Sequence, residues 1–310
     1  MRSGDKTARF PLSGNVQRSG RLVAAPPAQS VDTEPIVTAY VTRVEADGGS
    51  VTSLEFVQDF VNHAAENWYL DDVACFLAPA AGVKLASDAV EKMYDLSNNA
   101  YDVGPAGSGT LPTFVPGTDA SAPNGQASAV FVPGTAEVQS LLAWPQMGLT
   151  RNIAGLTAIS VRRSSNTSGI KWEYAIETGA GALRVLGGTE SVDTLLGGRR
   201  LDADSYASRA AANTHTSEWQ MVTRVWDYAN AAVAMRVDGA PVTLNNSSFH
   251  SAGNTSDTDA AKGELGASSV LADRSMNGTL AALIFFESVL SPAKLAAVEG
   301  WLWDRFVGAE

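Results

Sequence analysis

The sequence predicts a mainly β protein in which two antiparallel sheets pack as a sandwich or jelly roll. Short apolar segments recur between residues 94 and 285 and are separated by polar turns. Glycine and proline, 28 and 13 of the 310 residues, are frequent enough for many such turns. With 45% hydrophobic and 18% charged residues, the chain also has enough apolar side chains for a large core.

The expected strands are short, and one pair carries a specific hairpin signal. Asp238-Gly239 lies between residues 231–237 and Val242-Thr243-Leu244, and glycine accepts the positive φ that a tight hairpin turn needs. No period of 20–50 residues stands out, so a solenoid or propeller is not expected. The candidate strands are 129–132, 139–144, 156–162, 170–177, 182–186, 218–226, 231–237 and 279–286.

The sandwich domain, residues 94–310, is predicted to end in a helix. Ser291 is a suitable N-cap, and Pro292 occupies the first helical position, where its missing N–H costs nothing. Apolar residues then recur with spacings of three and four, which gives one apolar face that should pack on the sandwich. These residues are Leu295, Val298, Leu302 and Phe306.

Residues 36–93 are predicted to form a small helix-plus-strand unit before the sandwich. Thr52 and Glu55 have the spacing of a capping box at the start of a helix over 52–67. The apolar run 73–78 is typical of a buried strand, whereas 36–48 fits either a strand or the start of a helix. The helix should pack through Leu54, Val57, Phe60, Val61 and Ala64.

Residues 1–35 are predicted to be an extended arm that binds a partner. The apolar residues of the arm do not recur with the period of a helix or a strand, and Pro26-Pro27 stiffens its end. Residues 1–24 contain five basic residues and one acidic residue, a net charge of +4, which leaves −15 on the rest of the chain. The expected partner-binding residues are Arg2, Lys6, Arg9, Phe10, Leu12, Arg18 and Arg21.

The bulk charge and the cysteine content exclude several classes of protein. A net charge of −11 makes nucleic acid an unexpected partner, because the phosphates would repel the chain. Cys75 is the single cysteine, so no intrachain disulfide forms, which fits assembly in a reducing cytoplasm. No run of 18 apolar residues occurs, so membrane insertion is not expected.

The sequence offers little support for catalysis. Glu173 and Glu177 share one face of the strand 170–177, but they lie two strand steps apart, and we interpret that face as solvated. His63, His215 and His250 show no metal-ligand spacing. Cys75 lies in an apolar strand, where burial would leave its thiol unreactive. We therefore predict that the chain is not an enzyme and has no catalytic residues.

One polar loop, Asn254 to Asp259, clusters oxygen-bearing side chains. Asp257 and Asp259 are weak candidates for calcium ligands, since calcium prefers oxygen. The loop lacks the spaced bidentate glutamate of an EF-hand, so an ordinary polar loop is the other interpretation. No other metal or cofactor is predicted.

Three segments resemble concanavalin-A-like and laminin-G-like jelly-roll domains. Residues 219–222, leading through 235–239, resemble the "Trp-x-x-Val … Asn/Asp-Gly" hairpin of these domains. Residues 263–267 resemble the short strand that follows, and 276–286 with Leu290-Ser291-Pro292 resemble the closing strand and helix. The resemblance implies a sandwich of this type. The sugar- and calcium-binding residues of its lectins have no clear match here.

The part of the chain before the sandwich resembles a segment found in structural proteins of tailed bacteriophages. It comprises the helix 52–67, residues 68–80 and residues 84–98. Asp71-Asp72 stands where those proteins usually have lysine. The resemblance, which spans roughly residues 40–310, implies a non-enzymatic virion structural protein: a capsid decoration, head-fibre or tail-associated component. Its expected partners are other virion proteins and further copies of itself. The alternative is a carbohydrate-binding or receptor-binding lectin-like module, which would bind a surface glycan.

Overall fold

The computed structural model describes residues 32–105, 110–132, 142–144, 148–166, 168–178, 182–267 and 274–308. All of them belong to the unit Val31–Glu310. The predicted partner-binding residues of the arm, Arg2, Lys6, Arg9, Phe10, Leu12, Arg18 and Arg21, lie outside the described residues, so the arm stays a prediction.

Three α-helices are present in the described chain, and one of them starts inside the predicted arm. Residues 34 and 35 are helical rather than extended, because Glu34 and Pro35 both suit the first turn of a helix. The ambiguous segment 36–48 is therefore mostly helix. The helices are α1 (Glu34–Ala46), α2 (Leu54–Glu66) and α3 (Pro292–Phe306).

The caps of α2 and α3 show how local sequence starts these helices. Ser53, not the predicted Thr52, caps α2, since its hydroxyl accepts the Phe56 N–H at 3.1 Å. Ser291 caps α3 as predicted. The predicted apolar face of α2 is buried except at Leu54, which is 47% exposed and contributes little to it. In α3, Val298, Leu302 and Phe306 are buried, and Leu295 is partly buried.

The strands confirm a mainly β architecture. They are β1 (Ser50–Val51), β2 (Val73–Leu77), β3 (Gly82–Ala86), β4 (Ala89–Met93), β5 (Gly104–Pro105), β6 (Thr113–Val115), β7 (Ser128–Phe131), β8 (Leu142–Trp144), β9 (Leu156–Ser164), β10 (Ile170–Thr178), β11 (Leu183–Glu190), β12 (Asp193–Gly198), β13 (Ala207–Ala211), β14 (Gln220–Asp227), β15 (Ala232–Val237), β16 (Ala240–Pro241), β17 (Ala260–Leu265) and β18 (Gly278–Phe286).

Two antiparallel sheets form the predicted sandwich. The larger sheet has the order β1-β3-β4-β6-β7-β18-β9-β14-β15-β16, with β2 also paired to β18. The smaller sheet has the order β13-β12-β11-β10-β17-β8-β5. Strands β2, β3 and β4, which the sequence analysis assigns to a lead-in unit over 36–93, pair within the larger sheet and are continuous with the sandwich.

The larger sheet has a core on each of its faces, because the side chains of a strand alternate. On β18, Leu283 and Phe285 join the core between the two sheets. Ile284 and Phe286 join a second core beneath the helices. The helices therefore form a third layer, on the side of the larger sheet opposite the smaller one.

Two local predictions about this framework are confirmed. Asp238 and Gly239 have φ angles of 52° and 75° and join β15 to β16, as the hairpin signal indicates. Cys75 is fully buried in β2, where burial raises the pKa of its thiol well above the usual value. In the described part of the chain, no helix has the length and apolar character needed to cross a membrane.

Candidate functional site

Glu173, one of the two glutamates that the sequence places on one face of a strand, is an interior ion-pair residue. The register of β10 against β11 shifts between Trp172 and Tyr174, and this bulge directs Glu173 toward the larger sheet. Its carboxylate accepts hydrogen bonds from Arg162 Nε at 2.9 Å, Arg224 Nη1 at 2.9 Å and Ser160 Oγ at 2.8 Å. Only 2% of Glu173 is exposed, so the predicted solvated strand face is wrong.

The surroundings of Glu173 keep it ionised. Burial alone would raise the pKa of its carboxyl, but the charges of Arg224 and Arg162 and their hydrogen bonds outweigh burial and lower the pKa to about 2. Glu177 is also buried, with its carboxylate 3.5 Å from Lys262 Nζ. The two glutamates bind different cations and do not form the exposed carboxylate pair that glycoside hydrolysis requires.

His215 extends the interior cluster toward the surface. Its Nδ1 lies 3.0 Å from Arg162 Nη1, and its Nε2 lies 3.3 Å from the main-chain oxygen of Asn166. Because an arginine can only donate, Nδ1 must be the acceptor and Nε2 must carry the proton. Burial and then the Arg162 charge lower the pKa of His215, which favours the neutral ring.

The calcium candidates Asp257 and Asp259 bind an arginine. Arg151 Nε donates to Asp257 at 2.6 Å, and Arg151 Nη1 donates to Asp259 at 3.1 Å. The guanidinium supplies the positive charge that a calcium ion would bring. Across the described ranges, no three His, Cys, Asp or Glu side chains come together in a way that could hold a metal ion. The arrangement fits the polar-loop interpretation.

A groove of about 400 Å³ lies where four separate segments meet. These segments are the loop 120–124, the end of β9, the residues just before β14 and the end of α3. Pro123, Phe306 and Val307 supply apolar surface, and both polar and charged side chains share the lining. The polar and aromatic residues of the groove are Ser121, Asn124, Arg163, Glu218 and Trp219.

Arg163 and Trp219 form the centre of this groove. Strand register brings them together, since Gln220 pairs with Arg162, and Trp219 and Arg163 are the next residues outward on the two antiparallel segments. The guanidinium carbon of Arg163 lies 5.3 Å from the Trp219 ring centroid, a cation–π contact. Within the described part of the chain, no carboxylate forms an ion pair with Arg163.

The loop at the edge of the groove is fixed to the end of α3. Asn124 Nδ2 donates to the main-chain oxygens of Asp304 at 2.9 Å and Arg305 at 3.2 Å, which satisfies two carbonyls at the helix end. Asn124 has a left-handed φ of 45°, which asparagine tolerates better than most residues. Ser121 is held by Asp119, to which its hydroxyl donates at 2.7 Å. The lining is therefore largely preorganised.

A second groove, of about 480 Å³, separates α1 from α2. Its lining combines apolar Val37, Val41 and Leu54 with the uncharged polar residues Gln58 and Asn62. Glu34 is its only charged lining residue among the described positions. This surface offers apolar contact without a cluster of groups that would orient a small ligand, so the Trp219 groove is the better candidate site.

Neither groove was predicted from the sequence. In the sequence, Trp219 belongs to the segment that resembles a jelly-roll hairpin, and no pattern marks Arg163. The available signal was an arginine and a tryptophan near the ends of two strands, but pairing them requires the register of β9 against β14. That register is a property of the folded sheet and cannot be read from either segment alone.

No protein-family profile matches the chain, and no curated protein matches it. Solved structures do resemble it. The binding domain of Paraclostridial Mosquitocidal Protein 1 aligns with a TM-score of 0.52 and 10% identity, over 76% of this chain and 53% of that chain. The binding domain of botulinum neurotoxin DC in complex with SialylT aligns with a TM-score of 0.51 and 10% identity, over 75% and 52%.

A third structure concerns botulinum neurotoxin type C and the dependence of its cell entry on two ganglioside molecules. It aligns with a TM-score of 0.52 and 10% identity, over 75% of this chain and 52% of that one. The chain thus spans about half the length of these three structures. At such low identity the similarity establishes the jelly-roll sandwich fold and nothing finer.

Proposed function

We propose that this chain is a non-enzymatic, lectin-like module that binds a glycan in the groove around Trp219. The observation that carries the proposal is the Arg163–Trp219 pair, a cation and an indole in cation–π contact within a groove that has a polar rim. Ligand sites commonly combine apolar and aromatic surface with a few well-placed polar groups. A sugar presents both kinds of surface, because its C–H groups contact aromatic rings while its hydroxyls form hydrogen bonds.

The rim of the groove supplies hydrogen-bonding groups of the kinds that sugar hydroxyls need. Glu218 is exposed and accepts hydrogen bonds, and Arg163 donates them. Ser121 has a hydroxyl whose proton is directed to Asp119, which leaves its oxygen lone pairs as acceptors. The fixed position of the loop 120–124 on α3 lowers the conformational entropy lost on binding.

Two of the solved structures with the same fold concern glycan ligands by their own descriptions. One is a toxin binding domain in complex with SialylT, and another links toxin entry to two ganglioside molecules. They support a binding role for this fold in general terms. The location of the site rests on the groove itself.

A non-enzymatic role is part of the proposal. Glu173 is held in the interior by Arg162 and Arg224, and its low pKa leaves no proton for general acid catalysis at neutral pH. Its oxygens are already engaged in hydrogen bonds. Activity on a glycan or peptide that disappears with Glu173→Gln in a folded variant would contradict this part of the proposal.

The test is a glycan-array screen followed by calorimetric titration of the best ligand. We expect Trp219→Ala to weaken binding about fivefold or more, since aromatic contacts contribute on the order of 1 kcal/mol. Trp68→Ala is the matched control, because Trp68 is 54% exposed and does not line the groove. Thermal melting shows that both variants are folded. Absence of any glycan ligand, or equal loss in both variants, would refute the proposal.

The virion role stays a prediction of the sequence, together with host-cytoplasmic assembly and homo-oligomer formation. Its docking arm lies outside the described residues, and no contact among the residues that the structure describes favours a head or a tail position. The two functions are compatible, because a tail-associated virion protein can also bind a surface glycan.

A further inference from the structure

We infer that the glycan bound at Trp219 is acidic, and that Arg163 binds its carboxylate. This inference rests on the proposed function and specifies its ligand class. The observation behind it is which basic side chains have a carboxylate partner. The protein has 33 acidic and 22 basic residues, so most interior and half-buried cations have a carboxylate nearby. Carboxylates pair with Arg43, Arg151, Arg162, Arg184, Arg224, Arg236 and Arg305.

Arg163 differs from those arginines. In the described chain its guanidinium has neither an ion pair nor a hydrogen bond, and it makes a cation–π contact with Trp219. It is only partly exposed, so it is not a freely solvated surface side chain. An arginine that is held in place but lacks an anion, within a strongly acidic protein, is suited to receive an anion from outside.

The hydrogen-bonding geometry of an arginine favours a carboxylate. A cation–π contact places the guanidinium over the face of the ring and gives its N–H groups no oxygen acceptor. Two of those N–H groups match the two oxygens of a carboxylate in a bidentate pair. The contact with Trp219 therefore restricts the position of Arg163, while no described residue occupies the N–H groups of its guanidinium.

Glu218 limits where the anion can lie. It lines the same groove, but it does not form an ion pair with Arg163. A ligand carboxylate next to Glu218 would be repelled, whereas sugar hydroxyls can donate to it. The groove thus offers a cation for the acidic group and an acceptor for the hydroxyls, which is the pattern of an acidic sugar rather than of a simple anion.

The experiment compares matched acidic and neutral sugars by calorimetric titration. The probes are sialyllactose against lactose, and a glucuronate-terminated disaccharide against its glucose counterpart. A sulfated lactose distinguishes a carboxylate from a general anion. We expect the wild-type protein to favour the carboxylates by about 10- to 100-fold, the range for hydrogen bonds between charged groups. Tight binding of sulfated lactose alone would overturn the carboxylate assignment.

Two variants of Arg163 test its role. Arg163→Gln should abolish the preference for acidic sugars, whereas the affinity for neutral sugars should fall much less, since they lose only hydrogen bonds from the guanidinium to hydroxyls. Arg163→Lys should keep part of the preference, since it retains the charge but not the bidentate fork. Arg151→Gln is the control, because Arg151 is an exposed arginine that does not line the groove, and this variant should keep the wild-type preference.

The outcomes separate the inference from the proposed function. If neutral and acidic sugars bind equally and Trp219→Ala weakens both, the glycan site stands and the role of Arg163 is wrong. If no sugar binds at this groove, both fail. If Arg163→Gln is unstable, an unchanged acidic preference in Arg163→Lys still overturns the requirement for a bidentate arginine.

Discussion

Glu173 and Arg224 form a two-point ion pair across the interior of the sandwich. Arg224 Nη1 lies 2.9 Å from Glu173 Oε2, and Arg224 Nη2 lies 3.0 Å from Glu173 Oε1. Arg224 belongs to the larger sheet and Glu173 to the smaller one, so the pair joins the two layers. Arg224 also donates to the main-chain oxygens of Leu195 and Gly188, which extends the link to β11 and β12.

Glu173→Gln should destabilise the fold strongly. The change leaves the charges of Arg162 and Arg224 buried without a counter-charge, and such losses cost about 3–5 kcal/mol. Urea unfolding at pH 7 measures the free energy. Glu190→Gln is the control, because Glu190 is exposed at the end of β11 and should change stability by less than about 0.5 kcal/mol. Similar values for the two variants would show that the ion-pair cluster is dispensable.

His215 should make stability depend on pH. Its folded pKa is lowered by burial and by Arg162, so the unfolded chain binds the proton more tightly. The contribution of His215 is full above its unfolded pKa of about 6.5 and decreases as the pH falls below that value toward the folded pKa. We expect His215→Gln to reduce the loss of unfolding free energy between pH 7.5 and pH 5.5.

His63 provides the comparison for that experiment, because burial lowers its pKa too. It lies on α2, where its Nδ1 is 2.9 Å from the Tyr69 hydroxyl, away from the interior cluster. The His63→Asn variant measures how much of the pH dependence of the unfolding free energy comes from His63. A pH profile that is unchanged in His215→Gln would contradict the assignment of a neutral, buried ring.

Leu302→Asp should cost several kcal/mol of unfolding free energy. Leu302 is fully buried in the core between α3 and the larger sheet. A carboxylate there would lose its hydration and would have no counter-charge. Ala296→Asp, on the exposed side of the same helix, controls for the helix propensity of aspartate. Thermal melting compares the two, and a Leu302→Asp protein that melts like the wild type would refute the packing of α3.

Deletion of residues 1–30 tests the virion prediction. We expect the truncated protein to fold, because the described sandwich lies within 31–310. We also expect it to lose incorporation into particles, since the +4 arm is the predicted anchor for an acidic body. Circular dichroism checks the fold, and gel analysis of purified particles measures incorporation. Full incorporation at high salt would place the docking surface on the sandwich instead.

Much of the framework follows from short-range signals. Ser291 and Pro292 start α3 because a cap and a fixed φ act within one turn. Asp238-Gly239 makes its hairpin because both residues tolerate positive φ. The spacing of Val57, Phe60 and Val61 identifies the buried face of α2. Each signal involves residues a few positions apart, so the sequence alone carries the information.

Other features depend on which strands become neighbours. Glu173 was interpreted as a solvated residue because alternation along a regular strand was the only guide. The bulge in β10 turns its side chain into the interior, and Arg162 and Arg224 of the other sheet bind its carboxylate there. The strands of 36–93 were set apart for the same reason, since their pairing with the larger sheet involves distant residues such as those of β18.

The sequence by itself determined the sandwich class, the terminal helix and its cap, the hairpin at Asp238-Gly239 and the buried state of Cys75. The tertiary structure decided the rest: the third layer of helices, the interior ion pairs and the groove. The physical reason is the distance along the chain between the residues that interact. Caps, turns and periodic faces are fixed by neighbouring residues, whereas Arg163 meets Trp219 only because the pairing of Gln220 with Arg162 sets the register of two strands.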